Sequence, residues 1–561
     1  MGIISRFALL GALALGAVQV QAAPLEASHL ISKRCVNSAT DRSCWGDYDT
    51  STDYYNEVPD TGVTVEYYFD LVNTTASPDG YERQVLLING SFPGPTIEAN
   101  WGDTVVVHVT NSLTNNGTGI HFHGIRQNYT NQMDGVPSIT QCPVAPGEST
   151  TYTWRATQYG TTWYHSHFAL QAWEGIFGGI IIHGPATGNY DEDAGIMFLN
   201  DWSHETSDAL YTQAQTGGPP TLDNALINGT NVYDNGGSRF EMEFVSGTKY
   251  LIRLVNGAID THFKFSIDSH NITVIATDLV PIVPYTTQVL SIGIGQRYDI
   301  IVEADQATAD YWLRAIPQTT CSDNDNTDNI RGIIRYDSSS TSDPTTSAYT
   351  QTDDCDDEDL TNLVPYVSKT VGSQDDGDDL AVTIGKVGNL FKWYLGGTTM
   401  AVEWADPTLL QVYNGESSWA DQSGVIELAT ADEWAYFIIE TTNTVPHPIH
   451  LHGHDFFILA QGTGTYADTA PTLNTANPPR RDVAMLPGGG YLVLAFQTDN
   501  PGAWLMHCHI GWHTSEGFAL QFVERYDEIK TLIDYDSLNE TCTAWSSYQT
   551  AAGLVEDDSG I

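Results

Sequence analysis

The chain has 561 residues, with 22 Lys and Arg against 70 Asp and Glu and a net charge near −48. Such acidity argues against nucleic-acid or anionic-membrane partners, because both need positive charge. It suits either simple solubility or an acidic working medium. At roughly 100–200 residues per domain, the length predicts about three domains. The 50 Gly and 24 Pro suit a turn-rich β architecture.

The N-terminus has the pattern of a secretory leader. Arg6 precedes an apolar run over residues 7–20, and a small-residue cleavage site follows. The run is too short to span a membrane, and no later stretch qualifies. Residues 1–23 are therefore predicted to be a signal peptide and residues 24–34, which end in a dibasic pair, a propeptide. This predicts a secreted, extracellular protein without a membrane partner.

Cysteines and sequons both fit a secreted protein. Of seven cysteines, Cys508 lies between two histidines, and the other six can pair in several ways. Nearness in sequence favours two short loops and leaves one long-range pair. The predicted disulfides are Cys35–Cys44, Cys321–Cys355 and Cys142–Cys542. The sequons, which predict a glycoprotein, lie at Asn73, Asn89, Asn116, Asn128, Asn228, Asn271 and Asn539.

Alternation of apolar and polar residues recurs along the chain, beginning with a run over residues 63–71. Such alternation predicts half-buried strands, because neighbouring side chains on a strand point to opposite faces. Similar runs occupy residues 105–109, 251–255, 300–302 and 437–439. Helical periodicity is scarce, so the sequence predicts an all-β fold of β-sandwiches.

An internal repeat places one type of domain near both ends of the chain. Gly160-Thr-Thr-Trp-Tyr-His-Ser-His leads to Glu174-Gly175, and Gly502-Ala-Trp-Leu-Met-His-Cys-His leads to Glu516-Gly517. A His-x-His-Gly segment precedes each copy. The middle region has a comparable strand at residues 311–314 but no His pair. The predicted domains are residues 35–186, 187–368 and 369–561.

Ten of the 17 histidines fall in four short segments, each built around a His-x-His pair. Residues two apart on a strand face the same side, so each pair presents two imidazoles together. Eight paired imidazoles could hold about three metal ions. The ten histidines are His121, His123, His165, His167, His447, His450, His452, His507, His509 and His513.

Spacing separates a second site from the first. Cys508 lies between His507 and His509, so it must face the opposite side of a strand. His447 is an odd number of residues from the pair that follows it, and His513 can reach back to Cys508 if the chain turns. One Cys with two His is the pattern of a blue copper centre. Zinc is the alternative metal, but zinc sites usually collect four ligands, often several Cys.

The four segments resemble the copper-binding signatures of the multicopper oxidases, and the chain is similar to ascomycete laccases along nearly its whole mature length. The resemblance implies three cupredoxin-like Greek-key β-sandwich domains, with a trinuclear copper cluster between the first and the third. It implies four coppers per chain, one of type 1, one of type 2 and two of type 3. The type 1 ligands would be His447, Cys508 and His513, the type 2 ligands His121 and His450, and the type 3 ligands His123, His165, His167, His452, His507 and His509.

Three further residues match positions that have known roles in that family. Phe518 takes the axial position of the type 1 copper, where Phe cannot coordinate and should raise the potential. Asp260 matches an acidic residue of the phenol pocket that can take the phenol proton. Asp134 matches an acidic residue near the type 2 copper that assists proton delivery. On the residues alone, Phe518 could be a core aromatic, Asp260 a solvated loop residue and Asp134 a turn residue.

The resemblance implies a laccase, a benzenediol:oxygen oxidoreductase that oxidises phenols by one electron and reduces O2 to water. Phenol and O2 would be its partners, and a monomer is expected. The alternatives are a ferroxidase or other metallo-oxidase, for which no acidic cluster is assignable to iron, and a non-catalytic copper-binding protein, which would not need two linked sites. Ascorbate and bilirubin oxidases carry Met at the axial position, unlike Phe518. The sequence does not distinguish lignin degradation from pigment synthesis or detoxification.

The last residues, Asp557-Asp558-Ser559-Gly560-Ile561, resemble the processed C-terminus of ascomycete laccases, which enters the solvent channel to the trinuclear cluster. The ordinary expectation for a terminus is disorder. A Cys142–Cys542 disulfide would instead tether this tail near the first domain. We expect residues 558–561 to be buried as a C-terminal plug, with the Ile561 carboxylate facing the cluster region.

Overall fold

The structure is a computed structural model that describes residues 35–554 and residue 561. The predicted signal peptide and propeptide lie outside the described residues, as do residues 558–560 of the predicted plug. No helix among the described residues is long and apolar enough to cross a membrane. Strands form three successive β-sandwiches, so the predicted all-β fold is confirmed.

The first β-sandwich follows a short hairpin, in which β1 (Cys44–Trp45) pairs with β2 (Tyr48–Asp49). The strands of the sandwich are β3 (Thr64–Ala76), β4 (Arg83–Ile88), β5 (Gly94–Asn100), β6 (Thr104–Asn111), β7 (Ile120–His123), β8 (Ser149–Arg155), β9 (Gly160–Ser166) and β10 (Phe177–His183). The sandwich sheets have the strand orders β4-β3-β6-β8 and β5-β10-β9-β7.

The second β-sandwich pairs a six-stranded sheet with a five-stranded sheet. Its elements are β11 (Glu192–Trp202), α1 (Ser207–Gly217), β12 (Asn224–Ile227), β13 (Val232–Tyr233), β14 (Gly236–Gly237), β15 (Glu241–Glu243), β16 (Lys249–Asn256), β17 (Phe263–Ile267), β18 (Ile272–Thr277), β19 (Val280–Thr287), β20 (Leu290–Ile292), β21 (Arg297–Glu303), β22 (Asp310–Pro317) and β23 (Arg331–Arg335). The sheet orders are β12-β11-β16-β21-β18-β19 and β15-β23-β22-β17-β20.

The third β-sandwich is built in the same way and is followed by α6, the longest helix of the described residues. Its elements are β24 (Asp376–Val387), β25 (Leu390–Leu395), α2 (Thr408–Asn414), β26 (Val425–Leu428), β27 (Trp434–Thr441), β28 (His447–Leu451), β29 (Phe456–Thr463), α3 (Tyr466–Thr469), β30 (Arg480–Arg481), β31 (Val483–Leu486), β32 (Gly490–Gln497), β33 (Gly502–Cys508), α4 (Gly511–Ser515), β34 (Ala519–Glu524), α5 (Tyr526–Ile529) and α6 (Tyr535–Ala552). The sheet orders are β25-β24-β27-β32-β29-β30 and β26-β34-β33-β28-β31.

The three sandwiches share one topology. Each first sheet contains a parallel pair (β3 with β6, β11 with β16, β24 with β27). Each second sheet contains another (β5 with β10, β15 with β23, β26 with β34). Strands β9, β22 and β33 therefore hold equivalent places, as do β7, β17 and β28. The sequence repeat reflects this repeated fold, and the middle copy carries no histidine pair on the equivalent strands.

Apolar–polar alternation predicted a strand well where one face of that strand is buried and the other is exposed. On β6, Val105, Val107 and Val109 are fully buried, whereas the residues between them are partly exposed. Every residue of β33 is buried, because this strand also packs against the first sandwich. There the Asn131 side chain accepts the N–H of Ala503 at 2.9 Å and donates to its carbonyl at 2.8 Å. Strands that carry the histidine motifs therefore lack simple alternation.

Covalent links and surface positions agree with the predictions for a secreted chain. The structure contains the three predicted disulfides, Cys35–Cys44, Cys321–Cys355 and Cys142–Cys542. Cys508 is the free cysteine of the described residues, and it is buried. The Cys142–Cys542 bond fixes α6 to the first sandwich. None of the seven sequon asparagines is buried, so each could accept a glycan; glycosylation itself stays a prediction.

Candidate metal centre

Four strands bring the His-x-His pairs together. In the first sandwich β7 and β9 are antiparallel neighbours, with His121 in register with His165. In the third sandwich β28 and β33 are antiparallel neighbours, with His450 in register with His507. The two strand pairs face each other across the interface, since the ring centroids of His123 and His450 are only 3.8 Å apart.

The eight paired imidazoles form one compact, buried cluster. Their ligand nitrogens lie within 4.8 Å of one another in three groups of three. These groups are His121–His123–His450, His123–His165–His509 and His167–His452–His507. The structure thus brings together the eight histidines that the strand period assigned to one site.

Hydrogen bonding leaves several buried ring nitrogens of this cluster without a protein partner. The Nδ1 atoms of His121 and His450 lie 2.9 and 2.8 Å from the backbone carbonyls of Asp134 and Asp482. Their Nε2 atoms are buried without a protein partner. The other unpartnered nitrogens are His123 Nδ1, His165 Nε2 and both ring nitrogens of His509. In His121, His450 and His165 one ring nitrogen is hydrogen-bonded to a backbone carbonyl and the other is free, as in metal-binding histidines, so the residues fit copper.

Burial favours the neutral, metal-binding form of most of the histidines in the four motifs. It lowers the pKa of His507 to about 4 and that of His513 to about 3. Burial, supported by repulsion between neighbouring rings, also lowers other pKa values well below the usual range. These belong to His123, His165, His167, His447, His450, His452 and His509.

Cys508 belongs to a second site on the opposite face of β33. Its Sγ lies 3.8 Å from Nδ1 of His447 and 3.6 Å from Nδ1 of His513, and the two Nδ1 atoms are 3.2 Å apart. Burial raises the pKa of Cys508 above its usual range. A thiolate here needs a bound cation, and the set of one Cys and two His suits copper.

Phe518 packs beside this second site. Its ring centroid is 5.0 Å from that of His447, and it stacks on Trp393 at 5.5 Å. Its backbone N–H donates to the His513 carbonyl at 3.0 Å, and its carbonyl accepts from Cys508 at 3.1 Å. Phe518 is fully buried, so it is a core aromatic and a neighbour of the site at once.

Asp134 contacts a histidine of the cluster and is also the last residue of a short 3₁₀ helix. It closes the 3₁₀ helix Asn131–Asp134, and Gly135 follows with φ of 78°. A Cβ on Gly135 would lie 1.8 Å from the Ile120 carbonyl oxygen, so only glycine fits there. The Oδ2 atom of Asp134 is 2.8 Å from Nδ1 of His452.

Asp482 is a site residue that the sequence analysis missed. Its carboxylate accepts two hydrogen bonds from Arg297, at 2.5 and 2.6 Å, and lies 3.2 Å from Nε2 of His123. Burial raises the pKa of Asp482 to about 7, although the Arg297 guanidinium opposes this shift. The only sequence signal is the run Arg480-Arg481-Asp482, which by itself does not indicate a metal site.

Asp260 lies in the loop between β16 and β17 and is only 5% exposed, so it is not a solvated loop residue. Burial raises the pKa of Asp260 to about 8; the Asp201 carboxylate adds to this shift, and the Trp512 indole opposes it. The residue before it, Ile259, accepts the N–H of Gly511 at 2.9 Å, and Gly511 begins the helix that contains His513. Asp260 therefore lies close to the second site.

Comparisons with known proteins agree with this geometry. Models of the multicopper oxidase family match residues 70–187, 193–339 and 394–528. Laccase-2 of Botryotinia fuckeliana is 49% identical over 576 residues, covering 99% of this chain and 98% of that protein. Laccase-1 of the same fungus is 52% identical over 536 residues, covering 94% of each. The crystal structure of the laccase from Botrytis aclada matches with a TM-score of 0.91 and 49% identity, covering 94% of this chain and 100% of that chain. This chain belongs to the multicopper oxidase family.

Proposed function

We propose that the enzyme acts as a laccase, oxidising phenols by one electron at the Cys508 site and reducing O2 to water at the eight-histidine cluster. One observation supports this most directly. The end of strand β33 contributes Cys508 to one site, and the residues on either side of it, His507 and His509, contribute to the other. Adjacent peptide bonds therefore join an electron-accepting site to a cluster large enough for several metal ions. A copper-storage protein would not need this linkage.

Copper, when bound, supplies the one-electron chemistry, and four ions match the four electrons that convert O2 to water. The inward nitrogens support one assignment of ligands. We assign His447, Cys508 and His513 to type 1 copper, His121 and His450 to type 2 copper, and His123, His165, His167, His452, His507 and His509 to the type 3 pair. Phe518, which packs against His447, would lie beside this copper as a residue that cannot coordinate it.

Carboxyl groups next to the two sites would accept or deliver the protons of the reaction. A phenol that loses an electron becomes strongly acidic, and the ionised form of the buried Asp260 is the candidate to receive its proton. Asp134, bonded to His452, is the candidate to assist proton delivery during O2 reduction. Cys508 and His513 act at the site where the substrate gives up its electron.

We further propose that the mature enzyme is a secreted, extracellular, glycosylated monomer. The N-terminal leader pattern, the open sequons and the three disulfides support this, because disulfides persist in oxidising environments. The net charge near −48 supports the absence of nucleic-acid and anionic-membrane partners. We also propose three domains over residues 35–186, 187–368 and 369–561; the positions of the strands support these ranges.

Cys508→Ser tests the assignment of the two sites. The variant should lose the strong visible absorption and phenol-dependent O2 uptake, because the thiolate ligand is gone, while copper in the histidine cluster is retained. Absorption spectra, copper per chain and O2 uptake are the measurements. Phe518→Leu is the control, since it alters the same pocket without removing a ligand. A Cys508→Ser protein that stays blue would contradict the assignment, and a strong preference for Fe(II) over phenols in the unmodified enzyme would favour a ferroxidase.

A further inference from the structure

Asp201 is a buried carboxylate whose hydrogen-bond partners are consecutive backbone N–H groups. It lies near the end of β11 and is 7% exposed. Its Oδ1 accepts the N–H of Ile259 at 2.8 Å, and its Oδ2 accepts those of Asp260 and Thr261 at 2.9 Å each. Hydrogen bonds to an ionised acceptor are stronger than neutral ones, so these three bonds hold the loop to β11.

The loop held in this way connects two parts of the oxidation site. It carries Asp260, and the carbonyl of Ile259 accepts the N–H of Gly511 at 2.9 Å. Gly511 is the first residue of α4, the helix that contains His513. The Asp201 carboxylate, from the second sandwich, therefore fixes the backbone of Asp260. Through Ile259 it also holds this loop against helix α4 of the third sandwich.

We propose that Asp201 is a positioning residue for phenol oxidation: it holds Asp260 in the place from which that carboxyl meets the phenol hydroxyl. This inference rests on the proposed role of Asp260. A purely structural role would make Asp201 equally important for every electron donor. A positioning role predicts a loss only for donors that release a proton, since the other donors do not use Asp260.

The test compares Asp201→Asn, Asp260→Asn and the double variant in the copper-loaded enzyme. In Asp201→Asn the amide oxygen can still accept two of the three N–H groups, but the NH2 group faces the third without a bond. Steady-state kinetics are measured with 2,6-dimethoxyphenol, which releases a proton, and with ferrocyanide, which does not. Asp103→Asn is the matched control: Asp103 is fully buried, accepts the N–H of Asn100 at 2.8 Å and lies in the first sandwich.

We expect Asp201→Asn to lower kcat/KM for the phenol by about 10- to 100-fold, in the range of a misplaced catalytic group, and to change ferrocyanide oxidation little. The double variant should resemble Asp260→Asn alone, because both substitutions remove the same contribution, proton acceptance by a correctly placed Asp260. Unaltered blue absorption and type 1 potential show that each variant is folded and that the copper ligands are in place.

The remaining outcomes overturn specific claims. Equal losses for both donors, or additive losses in the double variant, would mean that Asp201 does not act through Asp260. A phenol-specific loss in Asp260→Asn with none in Asp201→Asn would overturn the inference and leave the role of Asp260 intact. If Asp260→Asn has no phenol-specific effect, the proposed proton acceptor is wrong, and the role of Asp201 falls with it.

Discussion

Asp134 in the first sandwich and His452 in the third are joined by a buried contact of 2.8 Å between Oδ2 and Nδ1. The other carboxylate oxygen lies 3.1 Å from Nδ1 of His121. A single side chain therefore contacts one imidazole from each of the two sandwiches that enclose the cluster. Because all three residues are buried, nearby water cannot replace a lost contact.

We expect Asp134→Asn to lower turnover by about 10- to 100-fold, the usual cost of removing a partner behind a metal ligand. The amide keeps the size of the side chain, and its oxygen can still accept from His452, but it carries no charge and would place an NH2 group beside His121. The blue absorption should persist, because Asp134 does not contact His447, Cys508 or His513 in the structure. O2 uptake, copper content and the type 2 electron paramagnetic resonance signal are the measurements. Turnover equal to that of the unmodified enzyme would exclude a role for this carboxylate.

Phe518→Met should lower the reduction potential of the Cys508 site. A thioether beside the site can act as a weak axial ligand that stabilises Cu(II), whereas the phenyl ring cannot. A fall of about 59 mV corresponds to a tenfold change in a one-electron equilibrium, so redox titration resolves the effect. Phe518→Leu, which removes the ring without adding a ligand, should leave the potential nearly unchanged. A Met variant with an equal or higher potential would show that Phe518 is not axial.

The raised pKa of Asp260 predicts a pH-dependent stability difference. With a folded-state pKa of about 8, the native protein keeps a proton that the unfolded chain loses near pH 4. Between these values the native state binds more protons, so the free energy of unfolding falls as pH rises towards 8. Asp260→Asn removes this dependence. Its Tm, relative to that of the unmodified enzyme, should increase from pH 5 to pH 8 in calorimetry; a constant difference would contradict the raised pKa.

The sequence separated Cys508 from the paired imidazoles because neighbouring residues on a strand face opposite sides. In the structure the ligand atom of Cys508 lies with those of His447 and His513, whereas His507 and His509 belong to the other cluster. Asp482 and Arg297 were missed for the opposite reason. They are 185 residues apart and come from different sandwiches, so their contact arises only when the sandwiches pack. The contacts of Asp201 are likewise tertiary, as they join β11 to a loop about 58–60 residues later.

The C-terminal residue supports part of the plug prediction. Ile561 is 4% exposed and belongs to an apolar cluster that includes Leu505 of β33, Phe168 and Trp545 of α6. Phe168 directly follows His167, and Leu505 precedes His507 by two residues. The burial of the Ile561 side chain is therefore as predicted. Residues 558–560 lie outside the described residues, so the plug and the orientation of the Ile561 carboxylate remain predictions.

Releasing this tail should alter the cluster and leave the Cys508 site unchanged. Burying an Ile side chain contributes about 1.5–3 kcal/mol, so Ile561→Lys should free the terminus, whereas Ile561→Leu should keep it in place. We expect Ile561→Lys, and deletion of residues 558–561, to change O2-dependent turnover or the retention of type 2 copper while the blue absorption persists. The Cys142–Cys542 bond keeps α6 on the first sandwich in all these variants, so their effects report on the tail alone. If the Lys variant and the deletion match the Leu variant in turnover and copper content, the buried terminus has no role at the cluster.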